Sequence, residues 1–144
     1  MTSPAMPTVS VSEVMHYGVI TAQPQTTLAE VAELMARNRV HCVVVDGIAR
    51  VVKGQETVVW GILSDLDLMQ ALAAERLEVS AGDVAATEIV TVNSYDSIEA
   101  VARLMAEHEC SHLVVVSPET GEPIGVVSSL DVARGLSRPE QLGQ

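Results

Sequence analysis

The chain contains one unit written twice. Val19-Ile20-Thr21 reads over Ile89-Val90-Thr91, and TTLAEVAELMA (26–36) reads over DSIEAVARLMA (96–106). VHCVVVD (40–46) is then set over SHLVVVS (111–117), and GILSDLD (61–67) over GVVSSLD (125–131), which matches Met35 with Met105 and His41 with His112. Such self-similarity marks a duplicated supersecondary unit, and it narrows the possible folds more than any other feature. A unit of about 60 residues buries too little surface to be comfortably stable alone. Two copies are therefore expected to face each other across a pseudo-twofold axis, completing one core and creating clefts in symmetric pairs.

Within each copy the order reads strand, helix, strand, strand, helix, an α/β (α+β) unit of the form β-α-β-β-α. Leu28, Val31, Ala32, Leu34 and Met35 recur at helical spacing, as do Ile98, Val101, Ala102, Leu104 and Met105. Thr27 with Glu30, and Asp96 with Glu99, are the expected N-cap pairs. The β-branched runs CVVV and LVVV suit strands buried on both faces. Ser64 and Ser128 are expected to open the second helices. The first repeat is placed at 9–77 and the second at 80–137, with residues 1–8 and 138–144 as flexible ends. Between its second and third strands the first repeat carries DGIARVVKGQETVVW where the second has SPETGEPI, seven residues longer in this alignment. The insertion is expected to form an extended hairpin over 46–60.

Composition then limits the partners. Of 144 residues, 48% are hydrophobic, yet aromatics make up 2% and Phe is absent, so the core must be built from Val, Ile, Leu, Ala and Met. A net charge of -11 repels nucleic-acid backbone and anionic lipid, and two Tyr with one Trp leave few platforms for stacked bases. No general nucleic-acid binding is expected. The first residues lack the basic and apolar regions of a signal peptide, and no apolar run approaches the ~20 residues of a membrane span. Two cysteines fit buried thiols better than a disulfide framework. A soluble, cytoplasmic protein with no membrane association is expected.

The repeated G-h-h-S-x-x-D phrase, h being aliphatic, has two readings. Ser with Asp three residues later is what a helix capping box looks like, and the same side chains at a helix mouth can hold a ligand. The two are compatible. A catalytic triad from His41, Ser64 and Asp67 is not supported, since Ser and Asp share one helical turn and nothing supplies an oxyanion hole. No Walker loop or dinucleotide fingerprint is present, so no enzymatic activity is expected. By residue type His41 and His112, with Cys42 and Cys110, are the zinc candidates. His41 and Cys42, however, are neighbours in one strand and point to opposite faces, and the alignment sets Cys42 against Leu113 and Cys110 against Arg39. No metal site is expected.

The duplicated strand-helix-strand-strand-helix units, the HCVVVD and SHLVVVS segments and the paired phrases together resemble a tandem pair of cystathionine-β-synthase (CBS) domains, a Bateman module, over about residues 9–137. The resemblance implies a regulatory module that senses an adenine nucleotide (AMP, ADP or ATP, with or without Mg²⁺) and needs no other cofactor. Some members of the family bind S-adenosylmethionine, NAD or a metal ion instead. It further implies that Ser64 with Asp67, and Ser128 with Asp131, contact phosphate and ribose, while Ile62 and Val126 pack against adenine. The other copy would contribute its lead-in segment and the residue before its His. Ser12, Tyr17, Gly18 and Val40 would then serve the Ser128/Asp131 site, and Thr87 and Ser111 the Ser64/Asp67 site. A homodimer through the apolar second helices and an effector protein are the implied partners. A ligand-free interaction module, using the 46–60 hairpin, is the alternative.

The two sites are not equal. Asp65 stands in the first phrase where the second has Ser129, and a carboxylate there disfavours phosphate. Arg134 stands where the first copy has Gln70, and Tyr17 can stack on adenine where Thr87 cannot. The Ser128/Asp131 site is expected to bind more tightly.

Overall fold

The computed structural model describes residues 9–137; the ends expected to be flexible, 1–8 and 138–144, lie outside the described residues. In chain order the elements are α1 (Val11–Val14), β1 (His16–Tyr17), β2 (Thr21–Ala22), α2 (Leu28–Asn38), β3 (Cys42–Val52), β4 (Gln55–Ser64) and α3 (Asp65–Ala73). They continue with α4 (Ala81–Val84), β5 (Thr91–Asn93), α5 (Ile98–His108), β6 (His112–Val116), β7 (Pro123–Ser128) and α6 (Ser129–Leu136). Both repeats thus carry the strand-helix-strand-strand-helix order, in a mixed α/β fold.

The described residues divide into two compact units, Val19–Ile89 and a second that joins 9–18 with 90–137. Neither unit is simply one repeat. The lead-in of the first copy, α1 and β1, is built into the unit that holds the body of the second. The lead-in of the second copy, α4 with Ala86, is built into the unit that holds the body of the first.

In the Val19–Ile89 unit the sheet order is β2-β3-β4, with β2 parallel to β3 and β3 antiparallel to β4. Val43, Val44 and Val45 are all buried, so β3 has no solvent face at its centre. Leu28, Val31 and Met35 form the buried stripe of α2 and pack with Leu63, Leu68 and Ala71. Thr27 and Glu30 close a capping box, each side chain accepting from the other's backbone N–H at 3.2 and 2.9 Å. Hydrogen bonds from the Thr27 backbone and then its hydroxyl hold the Glu30 carboxyl below its ordinary pKa. Past the core the hairpin continues through a two-residue turn at Lys53 and Gly54, both at positive φ, the backbone that matches strand twist. Residues 49–58 are exposed on both faces of that ribbon.

In the other unit the sheet order is β1-β7-β6-β5. Val9, Val11, Val92, Ile98, Val101, Leu113, Val115 and Val127 are its fully packed centre. Here the cap of α5 differs from the expectation. Ser97, not Asp96, is the N-cap, accepting from Ala100 N–H at 3.1 Å, while the Asp96 carboxylate accepts from Asn93 N–H at 3.0 Å one turn earlier. Asp96 is drawn away because it closes a turn onto Asn93, the last residue of β5, whose carbonyl accepts from Asp96 N–H at 3.1 Å.

Strand pairing also corrects the alignment of the repeats by one residue. Cys42 pairs with Ser64 and His112 with Ser128, so Cys42 and His112 occupy equivalent positions. His41 is then equivalent to Ser111: Asp65 N–H donates to the His41 carbonyl, and Ser129 N–H to the Ser111 carbonyl, both at 2.8 Å. Val40 corresponds likewise to Cys110, since both N–H groups bond the carbonyl of the matched Met35 and Met105 at 3.1 Å. His41 and His112 are not a matched pair, and the hairpin insertion is one residue shorter than the sequence alignment made it. Runs such as VVV over LVVV fit equally well in either register by hydrophobicity, and only the hydrogen-bond ladder decides.

Candidate functional site

Both copies of the phrase fold into the same local device. Ser64 caps α3: its Oγ accepts from Asp67 N–H at 3.2 Å, and the Asp67 carboxylate accepts from Ser64 N–H at 2.8 Å. Ser128 caps α6 with the same reciprocal pair, at 3.1 and 2.8 Å to Asp131. The carboxylate is thereby held at the helix start with one oxygen engaged. The helix start, with its partial positive charge, is a place favourable to anions.

The glycine of the phrase has a reason other than closeness to a ligand. Gly125 pairs with Tyr17, and a Cβ on it would collide with the His16 carbonyl and the Met15 side chain. On Gly61 a Cβ would lie 2.6 Å from the Ala86 carbonyl. In both copies the lead-in segment crosses the strand so closely that only a residue without a side chain fits. Ile62 and Val126, the next residues, are half-buried.

Around this shared device the two copies differ. The Asp131 side chain is 2% exposed, whereas Asp67 is half-buried. His16 Nε2 lies 3.1 Å from Asp131 Oδ1, and Arg134 Nη1 donates to the same oxygen at 3.4 Å. The residue matching Arg134 is Gln70, and the residue matching His16 is Ala86, which bridges to Ile62 as His16 pairs with Val126. In place of those contacts, Asp67 and Gln70 line an open cavity of about 160 Å³ together with Leu28, Arg76, Val79 and Val84. Asp65, exposed beside the same helix start, pairs with His41 Nδ1 at 2.9 Å. Burial, and after it the charge of Asp65, push the Cys42 thiol up to about 11.

The other sequence-derived residues divide between the units. Ser12, Tyr17, Gly18, Val126, Ser128 and Asp131 share one; Ile62, Ser64, Asp67 and Thr87 share the other. Val40 belongs to the unit of Asp67, and Ser111 to that of Asp131. Tyr17 is 65% exposed, its hydroxyl donating to the Ser12 carbonyl at 3.2 Å, and Gly18 N–H donates to the Ile124 carbonyl at 2.8 Å. Ser12 Oγ meets Ser10 Oγ at 2.7 Å, and Ser111 Oγ meets His112 Nδ1 at 3.0 Å. Among the described residues no three His, Cys, Asp or Glu side chains gather as a metal site would require, and no helix is long and apolar enough to cross a membrane.

His16 is the residue that sequence reasoning missed. Its neighbour Tyr17 drew attention for its ring, and nothing local marks His16 as the partner of a carboxylate over a hundred positions away. The alternation of β1 is the available signal: Tyr17 and His16 point to opposite faces, so only one can lie over a given side of β7.

The fold and the paired helix starts are those of a tandem domain pair, and the sequence comparison gives its class: the chain belongs to the CBS domain family, which it matches over residues 11–74 and 81–138. Among curated relatives it is 28% identical over 136 residues to the CBS domain-containing protein YhcV of Bacillus subtilis, covering 93% of this chain and 90% of that one. It is 30% identical over 124 residues to the homoserine O-acetyltransferase of Methanosphaera stadtmanae, covering 85% of this chain. The chain spans only 23% of that enzyme and 20% of a further archaeal relative. Two solved structures have the same fold. The CBS domain pair of protein MJ0100, in complex with 5′-methylthioadenosine and S-adenosyl-L-methionine, is 21% identical with a TM-score of 0.70, over 89% of this chain and 95% of that one. CBSX2 in complex with AMP is 24% identical with a TM-score of 0.66, over 94% and 98%.

Proposed function

We propose that this chain is a cytoplasmic regulatory module that binds an adenine nucleotide, AMP, ADP or ATP, at the starts of α3 and α6 and signals its occupancy to an effector protein. The observation that carries the reading is the duplicated Ser–Asp cap. Each cap fixes a carboxylate at the positive end of a helix, Asp67 next to Ser64 and Asp131 next to Ser128. A carboxylate held there accepts hydrogen bonds from the two adjacent hydroxyls of ribose, and the helix start favours phosphate even on an acidic protein. Ile62 and Val126 supply the apolar contact for adenine, with Ser12, Tyr17, Gly18 and Thr87 in the lead-in segments beside them. Val40 and Ser111 are proposed with the rest, though in the corrected register they are not each other's equivalents. The solved relatives with AMP, and with S-adenosylmethionine and methylthioadenosine, support an adenosine-bearing ligand.

The protein acts as a homodimer in this reading. Leu66, Met69 and Leu72 form an exposed apolar stripe on α3, and Leu130 is exposed on α6. The nucleotide is sensed and not hydrolysed, because neither cap holds an activated nucleophile.

Thermal melting with AMP, ADP, ATP, NAD and S-adenosylmethionine, with and without Mg²⁺, tests the reading. A ligand at ~100 times its dissociation constant adds ~2.7 kcal/mol of stability. No shift with any of them at millimolar concentration overturns it, in favour of a module that meets its partner through the 46–60 hairpin.

A further inference from the structure

The carboxylate of Asp131 is nearly full before any ligand arrives. An ionised carboxylate offers about four acceptor positions. Ser128 N–H takes one on Oδ2 at 2.8 Å, and His16 and Arg134 converge on Oδ1 at 3.1 and 3.4 Å. Two ribose hydroxyls need two positions, so one resident donor has to leave. The seat of His16 makes it the one in the way. Arg134 reaches Asp131 from within α6, whereas His16 comes from β1 and pairs with Val126, where adenine is to pack. Its ring is 71% exposed, so it can swing into water at little packing cost.

We propose that His16 is a displaceable lock on the Ser128/Asp131 site, occupying the ribose-binding carboxylate of the empty protein and setting the affinity that a ligand has to exceed. The inference rests on the nucleotide-binding reading and goes beyond it by giving one site a built-in competitor. The other site lacks the lock. Its matching residue is Ala86, also exposed and likewise bridged to the aliphatic residue of the phrase, Ile62. The same neighbourhood therefore exists twice, once with the imidazole and once without.

The experiment titrates adenosine, chosen because it carries the diol without a phosphate, into the full chain. NMR at the amides of Val126 and Ile62 follows each site separately. His16→Ala is expected to tighten the Val126 site by several-fold to about tenfold, the scale of one exchanged hydrogen bond to a charged group, and to leave the Ile62 site unchanged. Ala86→His, which installs the competitor, is expected to weaken the Ile62 site by a similar factor. In the parent protein the His16 ring signals move on saturation as the ring leaves Asp131. An unchanged or weakened Val126 site in His16→Ala overturns the lock, as does an Ile62 site indifferent to Ala86→His. Where adenosine does not bind, AMP takes its place in the same titrations, and binding of neither at either site of the parent protein overturns the nucleotide-binding reading and the lock together. Binding with the wrong response to these variants overturns the lock alone.

Discussion

The backbone carbonyl of His16 fills the space in which a side chain on Gly125 would begin. One close crossing thus serves two ends: it fixes a glycine in the repeated phrase and sets the His16 ring against Asp131. The same crossing of Ala86 over Gly61 recurs in the first copy at 2.6 Å from an added Cβ.

Gly125→Ala and Gly61→Ala are therefore expected to destabilise the protein by about 1–3 kcal/mol each, since the obstacle is backbone and cannot rotate away. Urea unfolding measures this as a lower midpoint at unchanged slope. A midpoint equal to that of the parent would mean the lead-in segment yields at no cost.

Loss of either capping carboxylate removes an acceptor from a helix start. Asp67→Ala and Asp131→Ala should each lower stability by roughly 1 kcal/mol. On nucleotide binding they should differ, with Asp131→Ala reducing AMP affinity more, because Arg134 accompanies Asp131 and Asp65 crowds the other site. Calorimetric titration of both variants ranks them, and the reverse order would sink the assignment of the tighter site.

A charge placed in the α3 stripe should separate a dimer. Leu66→Glu with Met69→Glu replaces side chains that are 61% and 54% exposed, so folding should be spared while association is lost. Sedimentation equilibrium should report half the parent mass. A parent that is already monomeric removes the dimer from the proposal.

Cys42 ties stability to alkaline pH. Its thiol titrates at about 11 in the folded protein against an ordinary 9.0. A group with a raised pKa keeps its contribution below the unfolded value and loses it as pH rises through the folded one. Stability should fall between about pH 9 and 11 by at most about 3 kcal/mol through this thiol. Cys42→Ala should flatten that decline in urea titrations at pH 8, 9.5 and 10.5. An identical pH profile in the variant would show that the thiol is not responsible.

Much of the architecture was legible along the chain because short-range physics writes it there. The 3.6-residue spacing of Leu28, Val31 and Met35 specifies a buried helix face, and Ser64-x-x-Asp67 specifies a cap that three residues can close by themselves. The cap of α5 was misread at Asp96 because two adjacent residues, Asp96 and Ser97, both suit the role, and Asn93 N–H takes the first. The pairing of His41 with His112 failed for a different reason. A one-residue slip still leaves valine over valine along most of VVV, whereas hydrogen-bond register is a property of two strands, not of one.

The sequence by itself determined the duplication, the order of elements in each repeat, the all-aliphatic core and the two Ser–Asp caps. All of these follow from residue type and spacing within a few turns of chain. Only the tertiary structure decided that the lead-in of one repeat is built into the compact unit of the other. The same folding set Cys42 opposite Ser64 and brought His16 within 3.1 Å of Asp131. Those relationships join residues remote in sequence through backbone pairing and close packing, and a local pattern carries no record of which distant strand will lie beside it.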